Sequence, residues 1–333
     1  MINVAVIGVG SMGKNHARVF STLSTTNLVA ISEIVNELQK DVSSNVGCKG
    51  YSDYNEMLAN ESIDAVSVAV PTKLHKTIVM DCLRSGVHVL VEKPISESVQ
   101  SSKIMIKEAK QKGVVFTVGH IERFNPGIEK LKEIISKGEL GEITSITARR
   151  VGMYPPRIKD ANVILDLAVH DIDIFNYLLD TRPDEVFAKS GAALKNDRED
   201  HALITLSYGD VSCFVQVNWI TPVKVRELSV TGSKGYAELN YITQDLKVFQ
   251  SNYEREYNDF GDFVFKFGEP TKIEIDVKKK EPLEVEIEHF IECIKGQKEV
   301  KITGEEALDS LIVCQGAIES YKKNRIVKID YDR

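Results

Sequence analysis

Three clusters of residues have the types and spacing to do chemistry. The first is Gly8-Val9-Gly10-Ser11-Met12-Gly13, which follows a short apolar run. Glycines let the backbone turn tightly and approach a pyrophosphate, and a helix opening there offers N–H groups and a favourable dipole. Glu33 lies 20 residues beyond Gly13. A carboxylate at that distance can accept hydrogen bonds from ribose hydroxyls and repel a 2′-phosphate. No Arg follows Glu33 closely, so NAD is expected rather than NADP. The second cluster is Glu92-Lys93-Pro94, a charged pair at the end of an apolar run. Ligands of open parallel sheets bind beyond the carboxyl ends of the strands, so Lys93 is expected to point toward nicotinamide and substrate. The third is Asp166 with His170, four residues apart and therefore on one helical face. A carboxylate beside a histidine raises its proton affinity and orients its ring, which suits it to accept a hydroxyl proton. Taken singly, each has a plainer explanation: a turn, a strand-end lysine, an ion pair on a helix surface.

The elements that must position these clusters follow from apolar periodicity. Apolar runs at Asn3–Ile7, Leu28–Ile31, Ala65–Val70, Val87–Val91 and Val114–Val118 predict strands. Helical stretches at Met12–Leu23, Leu74–Leu83 and Ser98–Lys112 separate them, the last two stopped by Gly86 and Gly113. Continuous apolar strands alternating with helices predict a doubly wound parallel sheet of the Rossmann type. Pro71, Thr72 and His75 fall where a strand meets a helix, and are expected at the cofactor with Glu92 and Lys93. His75 either flanks the nicotinamide or caps the helix. His16 shows no partner pattern and is expected to be structural or exposed.

Beyond His120 the period changes from helical to two. Val211, Cys213, Val215, Val217 and Trp219 share one face of a strand, with Ser212, Phe214, Gln216 and Asn218 on the other. Further strands are predicted at His201–Tyr208, Arg226–Thr231, Tyr236–Tyr241 and Leu246–Phe249, with helices at Asn162–Leu179, Leu283–Lys295 and Glu305–Tyr321. Thr303 and Glu306 form a capping box for the last. The aromatic, acidic stretch Tyr253 to Phe267 reads as a long hairpin or an interface loop. The expected organisation is an α/β chain in two domains. Residues 1–120 bind the dinucleotide, and 121–333 form an α+β domain with an open, mostly antiparallel sheet. An open sheet face makes a homodimer or homotetramer the expected state.

Composition sets the outer limits. The chain has 333 residues and a net charge of −7, with 43% apolar and 27% charged residues. That is a globular composition, and the acidic balance argues against a nucleic-acid partner. No run approaches the ~18 apolar residues of a membrane helix. Cys48, Cys82, Cys213, Cys293 and Cys314 are odd in number and contain no CxxC pair, so reduced thiols in the cytoplasm are expected, with no metal site. Arg123, Arg149, Arg150, Arg157 and Lys159 nevertheless gather cations before the Asp166 helix. Guanidinium groups suit a pyrophosphate, although nearby carboxylates could pair with them instead.

Together these segments resemble the Gfo/Idh/MocA oxidoreductase family. Gly8–Gly13, Pro71–His75, Glu92-Lys93-Pro94 and Asp166-Leu167-Ala168-Val169-His170-Asp171 carry the likeness, which spans nearly the whole chain. The resemblance implies NAD as cofactor and Lys93, Asp166 and His170 as catalytic residues. Glu33 departs mildly from it, since Asp is more usual there. Gly119 to Pro126 and Arg150 to Arg157 look like the nucleotide-sugar branch of the family. That implies oxidation of a ring hydroxyl, nearest to the 3-hydroxyl of UDP-N-acetylglucosamine, with Arg123, Asn125, Arg150 and Arg157 joining Lys93, Asp166 and His170 around the substrate. A dehydrogenase of a free sugar or inositol, and a non-catalytic NAD-binding regulator, are the competing expectations.

Overall fold

A computed structural model describes residues 1–154, 161–194, 198–257 and 263–332. The first of two compact units begins with eleven elements in strict alternation. They are β1 (Ile2–Ile7), α1 (Gly13–Thr22), β2 (Thr26–Ser32), α2 (Asn36–Val46), β3 (Lys49–Tyr51), α3 (Tyr54–Asn60), β4 (Ala65–Val68), α4 (Thr72–Arg84), β5 (His88–Glu92), α5 (Val99–Lys112) and β6 (Phe116–Gly119). The strands lie in the order β3-β2-β1-β4-β5-β6 and every pair is parallel. Burial on both faces explains the unbroken apolar runs: Val4, Val6, Ala65, Val66, Val89 and Leu90 are fully buried. Ser98 accepts the Ser101 N–H at the start of α5, and Gly113 takes the left-handed conformation that ends it.

The second unit is built on a nine-stranded sheet. Its elements are α6 (Pro126–Ser136), β7 (Ile143–Met153), a π-helical turn (Ile164–Ala168), α7 (Val169–Leu179), β8 (Glu185–Gly191), β9 (His201–Tyr208), β10 (Val211–Asn218), β11 (Ile220–Gly232), β12 (Gly235–Asn240), β13 (Leu246–Gln250), β14 (Tyr253–Tyr257), β15 (Phe263–Phe267) and β16 (Thr271–Ile275). The chain then forms α8 (Pro282–Ile294), α9 (Gly304–Lys323) and β17 (Val327–Lys328). The large sheet runs β16-β13-β12-β11-β7-β10-β9-β8-β17, and β7–β10 is its parallel pair. In β10, Cys213, Val215 and Val217 are buried whereas Ser212, Phe214 and Gln216 are exposed, as the period-two pattern predicts. Tyr253–Tyr257 and Phe263–Phe267 pair antiparallel as the two strands of a hairpin.

Contacts group Met1–Phe124 with Glu281–Ile312, and Asn125–Lys280 with Val313–Asp330. A single division near residue 120 therefore does not describe the chain. Leu283, Ile287, Phe290 and Ile291 of α8 bury against Val4, Val6, Ala17 and Phe20. Each such side chain contributes roughly 1.5–3 kcal/mol on leaving water, enough to return α8 to the first unit. The predicted capping box forms, because Glu306 accepts the Thr303 N–H at 2.9 Å and donates its own N–H to Thr303 Oγ1 at 3.2 Å. The predicted helix at Asn162–Leu179 is instead a π turn followed by α7. Among the described residues, no helix is long and apolar enough to cross a membrane.

Candidate active site

The strand order of the first sheet reverses between β1 and β4, and ligands of such sheets bind at that switch point, beyond the strand ends. Gly8 leaves β1 with φ +81°, and a Cβ there would lie 2.7 Å from Val70 Cγ1. A Cβ on Gly13 would fall 1.8 Å from the Gly8 carbonyl oxygen, so helix and turn can touch because both residues lack one. Gly10 faces open space. Helix α1 opens at Met12 with no side-chain cap and no acidic residue in its first turn. Ser11 is exposed and Met12 half-buried beside it. Such an N-terminus suits an anion.

Glu33, half-buried after β2, accepts the Val9 N–H at 3.0 Å and the Val35 N–H at 3.1 Å. Its carboxylate is thereby tied to the glycine turn, where a ribose would lie. Pro71 and Thr72 open α4 at the end of β4, again with no side-chain cap and no acid in the first turn. These features fit a dinucleotide: a turn open at Gly10, two anion-ready helix ends and an anchored carboxylate.

Lys93 follows β5, half-buried, and the Lys93–Pro94 peptide is cis. Its neighbours are held from within. Glu92 is buried, with Oε1 3.0 Å from His16 Nε2 and Oε2 accepting the Lys93 N–H at 3.2 Å. Burial works against the Glu92 charge, yet the His16 bond and the charges of His16, Lys93 and His75 hold its carboxyl below the ordinary value. Glu92, expected at the cofactor, is therefore bonded from within, to His16 and to the Lys93 N–H. His75 is 1% exposed, with Nε2 2.9 Å from the Val70 carbonyl and Nδ1 3.0 Å from that of Pro94. Burial pushes its pKa down against those bonds. Both ring nitrogens of His75 are engaged by backbone carbonyls, Val70 before α4 and Pro94 after β5.

In the second unit, Asp166 sits inside the π turn and His170 in the first turn of α7. Both are half-buried, between the buried Ile164, Leu167, Ala168 and Val169. Their spacing thus sets both on the accessible side of the segment. A π turn inside a helix is frequent at functional sites, and apolar periodicity carries no sign of one.

Two of the gathered cations, Arg123 and Arg150, have internal partners. Arg123, 2% exposed, donates to Glu306 Oε1 at 2.7 Å and to the Lys301 carbonyl at 3.3 Å. Arg150 forms a bidentate pair with Asp171, Nε to Oδ2 and Nη2 to Oδ1, both at 2.9 Å, and its guanidinium lies 4.7 Å from the centre of the Tyr241 ring. Asn125 caps α6 by accepting the Gly127 N–H and donates to the Tyr241 carbonyl. Arg123 and Arg150 are thus held by carboxylates within the fold, as a buried cation requires, and Asn125 serves as a helix cap. Asp171 and Asp173 are buried. Arg157 and Lys159 lie outside the described residues.

His16 is buried, the structural of its two expected placements, but its partners carried no signal in the sequence. His16 Nδ1 lies 2.8 Å from Ser67 Oγ, completing a buried chain Ser67–His16–Glu92. Partners 51 and 76 residues distant leave no local signature.

Comparison with known proteins agrees with this geometry. Residues 2–120 match the model of the Gfo/Idh/MocA oxidoreductase family with an NAD-binding Rossmann fold, and residues 128–238 match the C-terminal domain of the same family. A UDP-N-acetylglucosamine 3-dehydrogenase of Acidithiobacillus ferrooxidans is 26% identical over 96% of this chain and 98% of its own. A myo-inositol 2-dehydrogenase of Thermotoga maritima is 26% identical over 99% of both chains. The solved structure of the Acidithiobacillus enzyme superposes with a TM-score of 0.83 at 23% identity, covering 97% of this chain and 98% of that one, and so shares the fold. With its glycine turn, parallel sheet and second open sheet, the chain belongs to the Gfo/Idh/MocA family and is an NAD-binding oxidoreductase.

Proposed function

We propose that the protein oxidises a secondary ring hydroxyl of a nucleotide sugar, with the 3-hydroxyl of UDP-N-acetylglucosamine as first candidate and the 3-keto nucleotide sugar as product. The observation that carries the choice is the likeness along the whole chain to a UDP-N-acetylglucosamine 3-dehydrogenase. NAD, when bound, supplies the two-electron acceptor for the hydrogen leaving the ring carbon. The remaining work falls to side chains. His170 accepts the hydroxyl proton, Asp166 orients the His170 ring, and the Lys93 ammonium stabilises the developing alkoxide. Gly8, Gly10, Ser11, Met12 and Gly13 cradle the pyrophosphate, and Glu33 holds the adenosine ribose. Association of copies through the exposed face of the second sheet, where Leu203 and Phe214 are 59% and 42% exposed, is part of the same reading.

One observation favours a second reading, oxidation of an inositol. Arg123 and Arg150 are paired with Glu306 and Asp171, which weighs against two of the cations expected to meet a pyrophosphate. A myo-inositol dehydrogenase is as similar to the chain as the nucleotide-sugar enzyme is. NADH formation measured with UDP-N-acetylglucosamine, free N-acetylglucosamine, myo-inositol and scyllo-inositol separates the two. The first reading expects kcat/KM at least about tenfold higher for the nucleotide sugar, a difference near 1.4 kcal/mol. The reverse order selects the inositol reading, and no NADH from any of the four favours a non-catalytic NAD-binding protein. With the active substrate, Lys93→Met should lower turnover at least about a hundredfold while NAD still binds; near-normal turnover removes Lys93 from the chemistry.

A further inference from the structure

The residues flanking Lys93 are bonded to a degree that the fold alone does not require. Before it, Glu92 ties the Lys93 N–H to His16, and His16 to Ser67 on β4. After it, the Pro94 carbonyl faces His75 Nδ1, whose ring reaches the Val70 carbonyl at the end of β4 on its other side. His16, Ser67 and His75 are at most 1% exposed, and Glu92 is 8% exposed. Gly119 on β6 leaves room for the carboxylate, since a Cβ there would stand 3.3 Å from the Glu92 carboxyl carbon. A buried imidazole–carboxylate pair is a poor means of adding stability. Desolvation consumes most of the attraction, and an apolar pair of the same volume serves as well or better. What such a pair does provide is direction, because hydrogen bonds fix angles that apolar contacts leave free.

We infer that Ser67, His16 and Glu92 form a positioning chain for Lys93, running from the helix that follows the glycine turn to the backbone N–H of the lysine. His16 lies three residues past Gly13, on the first turn of α1. The element that receives the dinucleotide phosphates thus also sets the strand end from which Lys93 projects. His75 anchors the other side of the same turn. The inference rests on the assignment of Lys93 to the chemistry.

The chemical step is sensitive to an ångström of misplacement, whereas binding of the dinucleotide at the glycine turn is not made by Lys93. Glu92→Ala is therefore expected to lower kcat about 10- to 100-fold with the KM for NAD changed less than about threefold. Glu92→Gln keeps an oxygen for the Lys93 N–H and offers an amide to His16, so it should restore turnover to within about threefold of the parent. In a Lys93→Met background, adding Glu92→Ala should cost less than about twofold, because a residue acting through Lys93 has nothing left to position. A readout without substrate accompanies these. The rate of Lys93 acetylation by acetic anhydride, measured by mass spectrometry against Lys73 in the same sample, should change at least about threefold in Glu92→Ala and in His16→Leu.

Three results overturn the chain as a positioning device. They are equal losses in Glu92→Gln and Glu92→Ala, losses that multiply in the double variant, and an unchanged Lys93 acetylation rate in both variants. The double variant also separates the two claims. If Lys93→Met alone retains turnover, the assignment of Lys93 fails and the inference falls with it; if Lys93→Met is inactive but Glu92→Ala costs the same factor with or without Lys93, the inference alone fails. Should Glu92→Ala not fold, Glu92→Gln and His16→Asn carry the same comparison.

Discussion

The ends of β1, β4 and β5 and the stretch from Arg123 to His170 both hold residues expected to meet ligands, and they are built on opposite principles. In the first region the backbone makes the site. Positive φ at Gly8, the missing Cβ of Gly13, uncapped helix ends and strand termini set the geometry, and Glu33 is tied to main-chain N–H groups. The second region is made by side chains, and two of its cations are held by carboxylates of the fold: Arg123 by Glu306, Arg150 by Asp171. A backbone site must be encoded by adjacent residues. A side-chain site can be cancelled by a carboxylate anywhere in the chain.

The comparison breaks most sharply at Arg150. Its bidentate pair with Asp171 is buried at both ends, and removing one partner leaves the other charge in a dry interior. Arg150→Ala is expected to cost about 3–5 kcal/mol of unfolding free energy in urea. Arg149, the exposed neighbour on the opposite face of β7, should cost less than about 0.5 kcal/mol when replaced by Ala. A loss below about 1 kcal/mol at Arg150, combined with a raised KM for a nucleotide sugar, would return this residue to the substrate and undo the contrast.

The next largest effect sharpens the comparison from the other side. Among the second unit's candidates, Asp166 and His170 keep partial exposure while their neighbours are buried. His170→Asn should lower kcat about a hundredfold, near 2.7 kcal/mol, with the KM for NAD within about twofold. Asp166→Asn should lower it less, since it removes an orienting group and leaves the proton acceptor in place. A parallel rise in the KM for NAD would instead make the pair part of the dinucleotide site.

Legibility followed the same divide. The strands around Val4, Val66 and Leu90 read as continuous apolar runs because a doubly covered parallel sheet demands them, and β10 read as alternation because one face is open. The glycine turn was readable because only glycine can stand at Gly8 and Gly13. By contrast β7, the central strand of the large sheet, shows no apolar strand pattern, since Thr147, Arg149 and Arg150 give it a polar sequence. Arg150 reads as a surface cation until its carboxylate partner, 21 residues away, is seen. The return of α8 to the first unit was likewise hidden, because an amphipathic helix does not state which core it will join. The π turn around Asp166 and the chain through His16 depend on packing between distant segments, for which a local window holds no signal.

The smallest predicted effect tests how far the first region can keep charge in its interior. Glu286 on α8 is buried, and neither of its carboxyl oxygens has a hydrogen-bond partner among the described residues. Burial, reinforced by the charge of Glu92, pushes its carboxyl well above the ordinary value of 4.5. The folded protein therefore keeps a proton that the unfolded chain releases above about pH 4.5. Below that pH both states are protonated and the group costs nothing. Above it the unfolded state binds fewer protons, so stability falls by about 1.4 kcal/mol per pH unit until the folded carboxyl itself ionises. Glu286→Gln cannot ionise and removes this slope. The stability of the variant relative to the parent, from urea unfolding at pH 5 and pH 8, should rise with pH by at least about 1.4 kcal/mol. A difference that stays flat would mean that Glu286 is ionised in the fold. Two buried, ionised carboxylates would then stand near one another in the first unit.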